Sequence, residues 1–150
     1  MSGEYPLPAF YFMVVFEDKS ISDTSFQEVS GITTNMETDA YHEGGENHSM
    51  LHLPTKITQS KLVLKRGITT ATSGLVDWCK NVLEGGLYNG IETKSLSVRL
   101  LNEKSNPVRV WNFENAYPVN WEIGSLNSTK NEVAIEKIEL QYQRVIRELS

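Results

Sequence analysis

All three histidines of the chain fall in one stretch, "YHEGGENHSMLHLP" (41–54), where His42, His48 and His52 stand beside Glu43 and Glu46 and around Gly44-Gly45. Imidazole and carboxylate donors in such proximity suit a transition metal. Their spacing argues against one. His48 and His52 converge on a single ion only if both sit on a helix, and Gly44-Gly45 and Pro54 break a helix there. No HExxH occurs. A phosphate cradle fares worse, because Glu43 and Glu46 flank the glycine pair with negative charge and no GxxxxGK[ST] follows. Two readings remain: solvated loop histidines, or a polar, glycine-hinged arm that touches another protein.

Other chemistry is equally thin. Cys79 is the only cysteine, so no internal disulfide is available. It lies beside Trp78 in an apolar-faced segment with no histidine nearby in sequence to activate it, which reads as a buried, inert thiol. No GxSxG nucleophile elbow is present. Glu37 and Asp39 share a strand face, but acidic strand faces are ordinarily wet surface. No catalytic constellation, metal site or cofactor is expected.

The elements that carry these residues come from 150 residues with a net charge of −5, enough for one domain with a single core. The charge argues against a dedicated nucleic-acid binder, since the densest basic cluster is only "KLVLKR" (61–66). No apolar run is long enough to span a membrane. The start lacks a cationic n-region, so synthesis in the cytoplasm without a signal peptide is expected. "AFYFMVVFE" (9–17) reads as a buried strand, apolar on both faces. "SFQEVSGITTNMETDAY" (25–41) reads as a strand pair or one long strand bent at Gly31, polar in its second half. "TKITQSKLVLKRG" (55–67) alternates Leu62 and Leu64 against Lys61, Val63 and Lys65 as one strand with a dry face. The segment 73–86 predicts the single helix, with Leu75, Trp78, Val82 and Leu83 on one face and Gly85-Gly86 as the stop. "SLSVRL" (95–100) and 108–124 read as strands, the latter with Trp111, Phe113, Tyr117, Trp121 and Ile123 in phase and Pro118 as a break or an edge. The turn "NEKSNP" (102–107) joins them. In 131–149, helix-like intervals (Ile135, Ile138, Tyr142, Val145, Leu149) compete with a strand alternation (Ile138, Leu140, Tyr142). The local pattern leans towards helix. Seven or eight strands and one helix indicate an antiparallel sandwich or barrel.

Six segments in order, "FQEVSGI", "YHEGGEN", "LVLKRG", "GLVDWCKNV", "VWNFENAYPVNW" and "NEVAIEKIEL", resemble the tail tube proteins of contractile phage tails. The ends "EYPLPAFYFMVVF" and "QRVIREL" are most similar to inner-tube subunits of phage-tail-like contractile injection systems. The resemblance spans nearly the whole chain, 1–150 as a single domain. It implies a mainly β protomer, an antiparallel sandwich or barrel with one flanking helix, whose strands join a shared hexameric inner barrel. It also implies that 133–148 is a long strand, against the local pattern. The role it implies is mechanical, not enzymatic. Stacked rings would form a hollow conduit for protein cargo or DNA, partnered by a sheath, a baseplate and a tube cap or terminator, in a particle released outside the cell or anchored at a membrane. A phage tail tube and a monomeric, ligand-binding small β-barrel are the alternatives. On the resemblance, 41–54 is a protruding loop in which Tyr41, Glu43, Gly44, Gly45, Glu46 and Asn47 contact a neighbouring subunit or the next ring. Thr33, Asn35, Glu37 and Asp39 would face the lumen, and the helix would meet the sheath. The histidines match no feature of the family pattern; titrating near neutrality, they are candidates for a pH-sensitive element of ring stacking.

Overall fold

A computed structural model describes residues 10–42, 50–68, 72–85, 90–129 and 133–149. Among these residues, nine strands and one helix run in the order β1 (Tyr11–Phe16), β2 (Glu28–Ser30), β3 (Thr34–His42), β4 (Met50–Gln59), β5 (Leu62–Gly67), α1 (Gly74–Gly85), β6 (Lys94–Leu101), β7 (Pro107–Ile123), β8 (Ile135–Gln141) and β9 (Arg144–Leu149). All pairings are antiparallel. Strands β1, β6, β9 and the first half of β7 make one sheet, here sheet I, in the order β1-β6-β7-β9. The second half of β7 continues with β8, β5 and β2 as sheet II, in that order. Strand β7 therefore belongs to both sheets.

Strands β8 and β9 lie along β7 in nearly one register, Gln141 opposite Tyr117 and Arg144 opposite Glu114. The C-terminal segment is thus one long strand interrupted at Tyr142-Gln143. Across from that interruption Asn115 takes a left-handed φ of 52°, a conformation asparagine tolerates better than most residues. The Gln143 N–H donates to the Glu114 carbonyl at 2.9 Å, and Asn115 Nδ2 donates to Gln143 Oε1 at 2.6 Å. Both strands turn at this level, which makes the corner where one sheet passes into the other.

The corner changes the phase of β7. Phe113 is buried before it, and Ala116 and Pro118 after it. A register shift between Pro118 and Asn120 then brings Trp121 back towards the core, while Ile123 stays 45% exposed. The expected single phase from Trp111 to Ile123 is therefore broken twice, and Pro118 sits within the strand. Beyond β8, no strand among the described residues pairs with the second half of β7, so the missing Pro118 N–H costs no ladder bond there.

Val14 and Phe16 (β1), Leu96 and Val98 (β6), Leu62 and Leu64 (β5), and Ile138 and Leu140 (β8) meet between the sheets. Full burial of each such side chain contributes about 1.5–3 kcal/mol relative to exposure. Helix α1 closes this core with Leu75, Trp78, Cys79 and Val82, the i, i+3, i+4, i+7 face. Cys79 fills the place expected of Leu83, which is 37% exposed. The expected single strand over 55–67 is two strands, β4 and β5, in different sheets. Strand β1 buries one face only, with Tyr11 exposed.

Candidate assembly interface

The chain leaves sheet II at two adjacent points, and both exits are built by backbone geometry. Gly31 ends β2 with φ of 86°, and a Cβ at this residue would stand 2.0 Å from the Lys61 carbonyl oxygen, so only glycine fits. Opposite it, Ser60 and Lys61 separate β4 from β5, with the Ser60 N–H bonded to the Thr33 carbonyl at 3.3 Å. Beyond these hinges, among the described residues, β3 and β4 pair only with each other, as a separate two-stranded sheet. An isolated hairpin is marginally stable in water at best. Residues Thr34–Thr38 of this one are exposed, and Met36 is 57% exposed. Arg147 of β9 donates to Thr34 Oγ1 at 3.2 Å and ties its base to sheet I.

The expected interface and lumen residues distribute over this hairpin. Thr33 precedes β3. Asn35 and Glu37 lie opposite Thr58 and Lys56, and Asp39 opposite Leu53 after a register shift. Tyr41 is opposite Leu51, His42 opposite Met50 and His52 opposite Ala40. Glu43, Gly44, Gly45, Glu46, Asn47 and His48 lie outside the described residues.

Further strand edges are open among the described residues. Strand β9 pairs only with β7, β2 only with β5, and the second half of β7 only with β8. Strand β1 pairs only with β6 and is partly covered by one bond from the Val14 N–H to the Thr24 carbonyl. Unpaired edges are templates for another chain. The outer face of sheet I adds a shallow cavity of about 480 Å³, lined among others by Val15, Ser97, Arg99, Asn112 and Ile146.

Within the sandwich lies a buried polar cluster that sequence reasoning missed. Arg66 of β5 donates through Nη1 to Asp23 at 2.5 Å, through Nε to Glu136 of β8 at 3.1 Å and through Nη2 to Ser73 Oγ at 3.0 Å. Its guanidinium lies 5.5 Å from the Phe26 ring centroid. Trp121 Nε1 donates to the second Glu136 oxygen at 2.9 Å. Ser73 Oγ donates to Asp23 at 2.7 Å and accepts from the Val76 N–H at 3.1 Å, while Asp23 accepts from the Leu75 N–H at 3.3 Å. Ser73 and Asp23 thus cap α1 and favour its positive end. Burial pushes the Asp23 carboxyl up, but the bonds from Arg66, Ser73 and Leu75 outweigh it and leave it below the usual carboxylate range. The signal was in the alternation itself. Arg66 follows Leu62 and Leu64, and Glu136 precedes Ile138 and Leu140, so both charges stand in dry rows.

Burial pushes the Cys79 thiol up to about 12, so it stays protonated, as its apolar setting suggested. No cluster of metal-ligating side chains occurs among the described residues.

A sandwich with open strand edges among the described residues, a separate strand pair exposed at Thr34–Thr38 and a buried polar clamp within the sandwich defines a class: a structural subunit completed by other chains. Residues 8–146 match the family of the T4-like virus tail tube protein gp19. The chain belongs to that family, and its role is that of a structural inner-tube subunit. A chain in the cryo-EM structure of the anti-feeding prophage baseplate, symmetrised sixfold, is 31% identical over 99% of this chain and 97% of its own, with a TM-score of 0.78. A chain in the sheath-tube complex of PVC, an extracellular contractile injection system, is 26% identical over 99% and 95%, with a TM-score of 0.79. Hcp1 from Salmonella typhimurium shares the fold at 12% identity over 94% and 87%, with a TM-score of 0.56. Comparison with curated protein sequences gives no match.

Proposed function

We propose that copies of this chain form hexameric rings, and that the rings stack into the hollow inner tube of a contractile injection system. The observation that carries this is the β3–β4 hairpin, a two-stranded sheet exposed at Thr34–Thr38 and without a further strand partner among the described residues. Strand edges of one copy close against the next around the ring, which removes the aggregation hazard of open edges and fixes ring size by geometry. Contact along the axis is head-to-tail and does not close, so a filament results. The chain works as one tube domain, and its task is mechanical rather than enzymatic.

Partners follow from where the relatives are found. The 31% identical chain comes from a sixfold baseplate, and those at 26% from a sheath-tube complex and from a sheath/tube terminator. A sheath around the tube, a baseplate below and a terminator above are accordingly its proposed neighbours, with cargo inside and the finished particle outside the cell. These relatives favour an injection system over a phage tail. The segment with Tyr41, Glu43, Gly44, Gly45, Glu46 and Asn47 contacts a neighbouring subunit or the next ring in this reading. Expression of the chain alone, followed by size-exclusion chromatography and negative-stain microscopy, is expected to give sixfold rings or tubes. A monomer at every concentration overturns the reading.

A further inference from the structure

The outer faces of the two sheets differ in a way that assigns them different surroundings. On sheet I, the rows Val15–Ser97–Asn112–Ile146 and Met13–Arg99–Val110–Glu148 alternate away from the core, with Ser97 itself buried and Ile146 and Glu148 exposed. Four of these side chains are apolar. On sheet II, one cross-strand row runs through all four strands as Glu28–Lys65–Lys137–Glu122. The next is Ser30–Val63–Glu139–Asn120. Lys61, one step beyond Val63 on the same side, is exposed. Three lysines therefore share this face with three glutamates. Five of the six are joined by ion pairs: Lys65 to Glu28 at 3.3 Å, and Lys137 to Glu122 at 3.1 Å and to Glu139 at 3.6 Å. Charges in such numbers tolerate water and resist being covered, because burying them imposes a desolvation cost that pairing rarely offsets.

Sheet II is also the sheet that continues into the hairpin, through Gly31 and Ser60-Lys61. Closing the hairpin against a neighbour and closing the edges of sheet II, β2 and the second half of β7, are then one event. Glu28 and Glu122 stand at those two edges and would repel if brought opposite each other. The stagger that any closed barrel requires sets them out of line.

Resting on the tube reading above, we propose that the outer face of sheet II is the wall of the channel, and that its three lysines and three glutamates make this wall charge-balanced. Such a wall has no net field with which to trap a polyion of either sign. That suits the sliding passage of polypeptides of unlike composition.

The test places single cysteines at Ser30, Lys65 and Lys137, with the native Cys79 buried and silent. Intact tubes and dissociated subunits are treated with N-ethylmaleimide, or with a maleimide bearing a polyethylene glycol too large for the lumen. Expected is reaction with both reagents in dissociated subunits and with the small one alone in tubes. Equal reaction of the large reagent in tubes puts the face outside, and protection from both buries it in a contact; either overturns the proposal. A wild-type preparation without rings overturns the tube reading instead. For the balance of charge, tubes of the E28Q/E122Q variant are expected to retain a single-stranded oligonucleotide at low salt at least about 10-fold better than wild type. Equal retention by the two removes that part.

Discussion

The Arg66 cluster and the β3–β4 hairpin lie on the two sides of one hinge and represent opposite designs. In the cluster every buried polar group has a partner, and one guanidinium ties three chain segments and a helix terminus together. In the hairpin, two strands have only each other among the described residues, and apolar Met36 faces water. The first is finished within one subunit; the second is left to be finished by other copies. A tube subunit needs both, because an exposed strand pair can be offered in a fixed direction only from a base that does not yield.

Removing the centre of the clamp should have the largest effect. Arg66→Ala leaves Asp23 and Glu136 buried without their cation, and breaking a buried pair in this way costs about 3–5 kcal/mol. A large drop in the thermal midpoint of the subunit is expected, with loss of rings only as a consequence. Chemical denaturation of the dissociated subunit measures it. An unchanged midpoint would show that the cluster does not hold the fold.

Next comes the hinge itself. Gly31→Ala forces a side chain into a left-handed position and against the Lys61 carbonyl, for about 2–3 kcal/mol. Its signature should differ from that of Arg66→Ala. Amide exchange should rise in β2, β3 and β4 more than in β6 and β7, because the strain is local to the exit of the hairpin.

Ser73→Ala removes the cap of α1 and one partner each of Arg66 and Asp23, for about 1–2 kcal/mol. The same site predicts a pH dependence. The native carboxyl of Asp23 lies below its unfolded value of about 3.9, so the folded state binds the proton less tightly. Its contribution is fully present above the unfolded value and is lost as pH falls through the native one. The stability difference between wild type and Asp23→Asn should accordingly be constant near neutrality and shrink below about pH 4. A difference that stays flat into acid would remove Asp23 from the clamp.

How much of this could be read beforehand depended on the range of the interactions. The helix, the Gly31 bend and the dry row of β5 follow from local pattern and were legible. The split at Ser60-Lys61 carries no glycine or proline, and only pairing with two different sheets creates it. The C-terminal strands were ambiguous because Ile135, Ile138, Tyr142 and Val145 satisfy a helical spacing as well; pairing with β7 decides against the helix. Asn115 looked like an ordinary strand residue, though its left-handed turn shifts the phase of everything after it. Arg66 and Glu136 were visible as charges in apolar rows, but their partnership joins residues far apart in sequence and had no local sign.

The smallest effect on the isolated subunit should come from the hairpin, and it tests the comparison most sharply. Met36 is 57% exposed and lies opposite Ile57 in the ladder, so Met36→Ser removes little buried surface. A surface change of this kind stays within about 0.5 kcal/mol. If the hairpin is completed by a second copy, however, Met36 becomes part of a buried contact repeated six times per ring, and each weakened copy lowers the stability of the whole ring. The expected outcome is an unchanged unfolding curve for the dissociated subunit, together with a clear rise in the protein concentration at which rings or tubes appear. Sedimentation across a concentration series reads the second quantity independently of the first. Loss of stability in the subunit alone would mean the hairpin is already packed within one chain, and an unchanged assembly threshold would mean that this face of it meets only water.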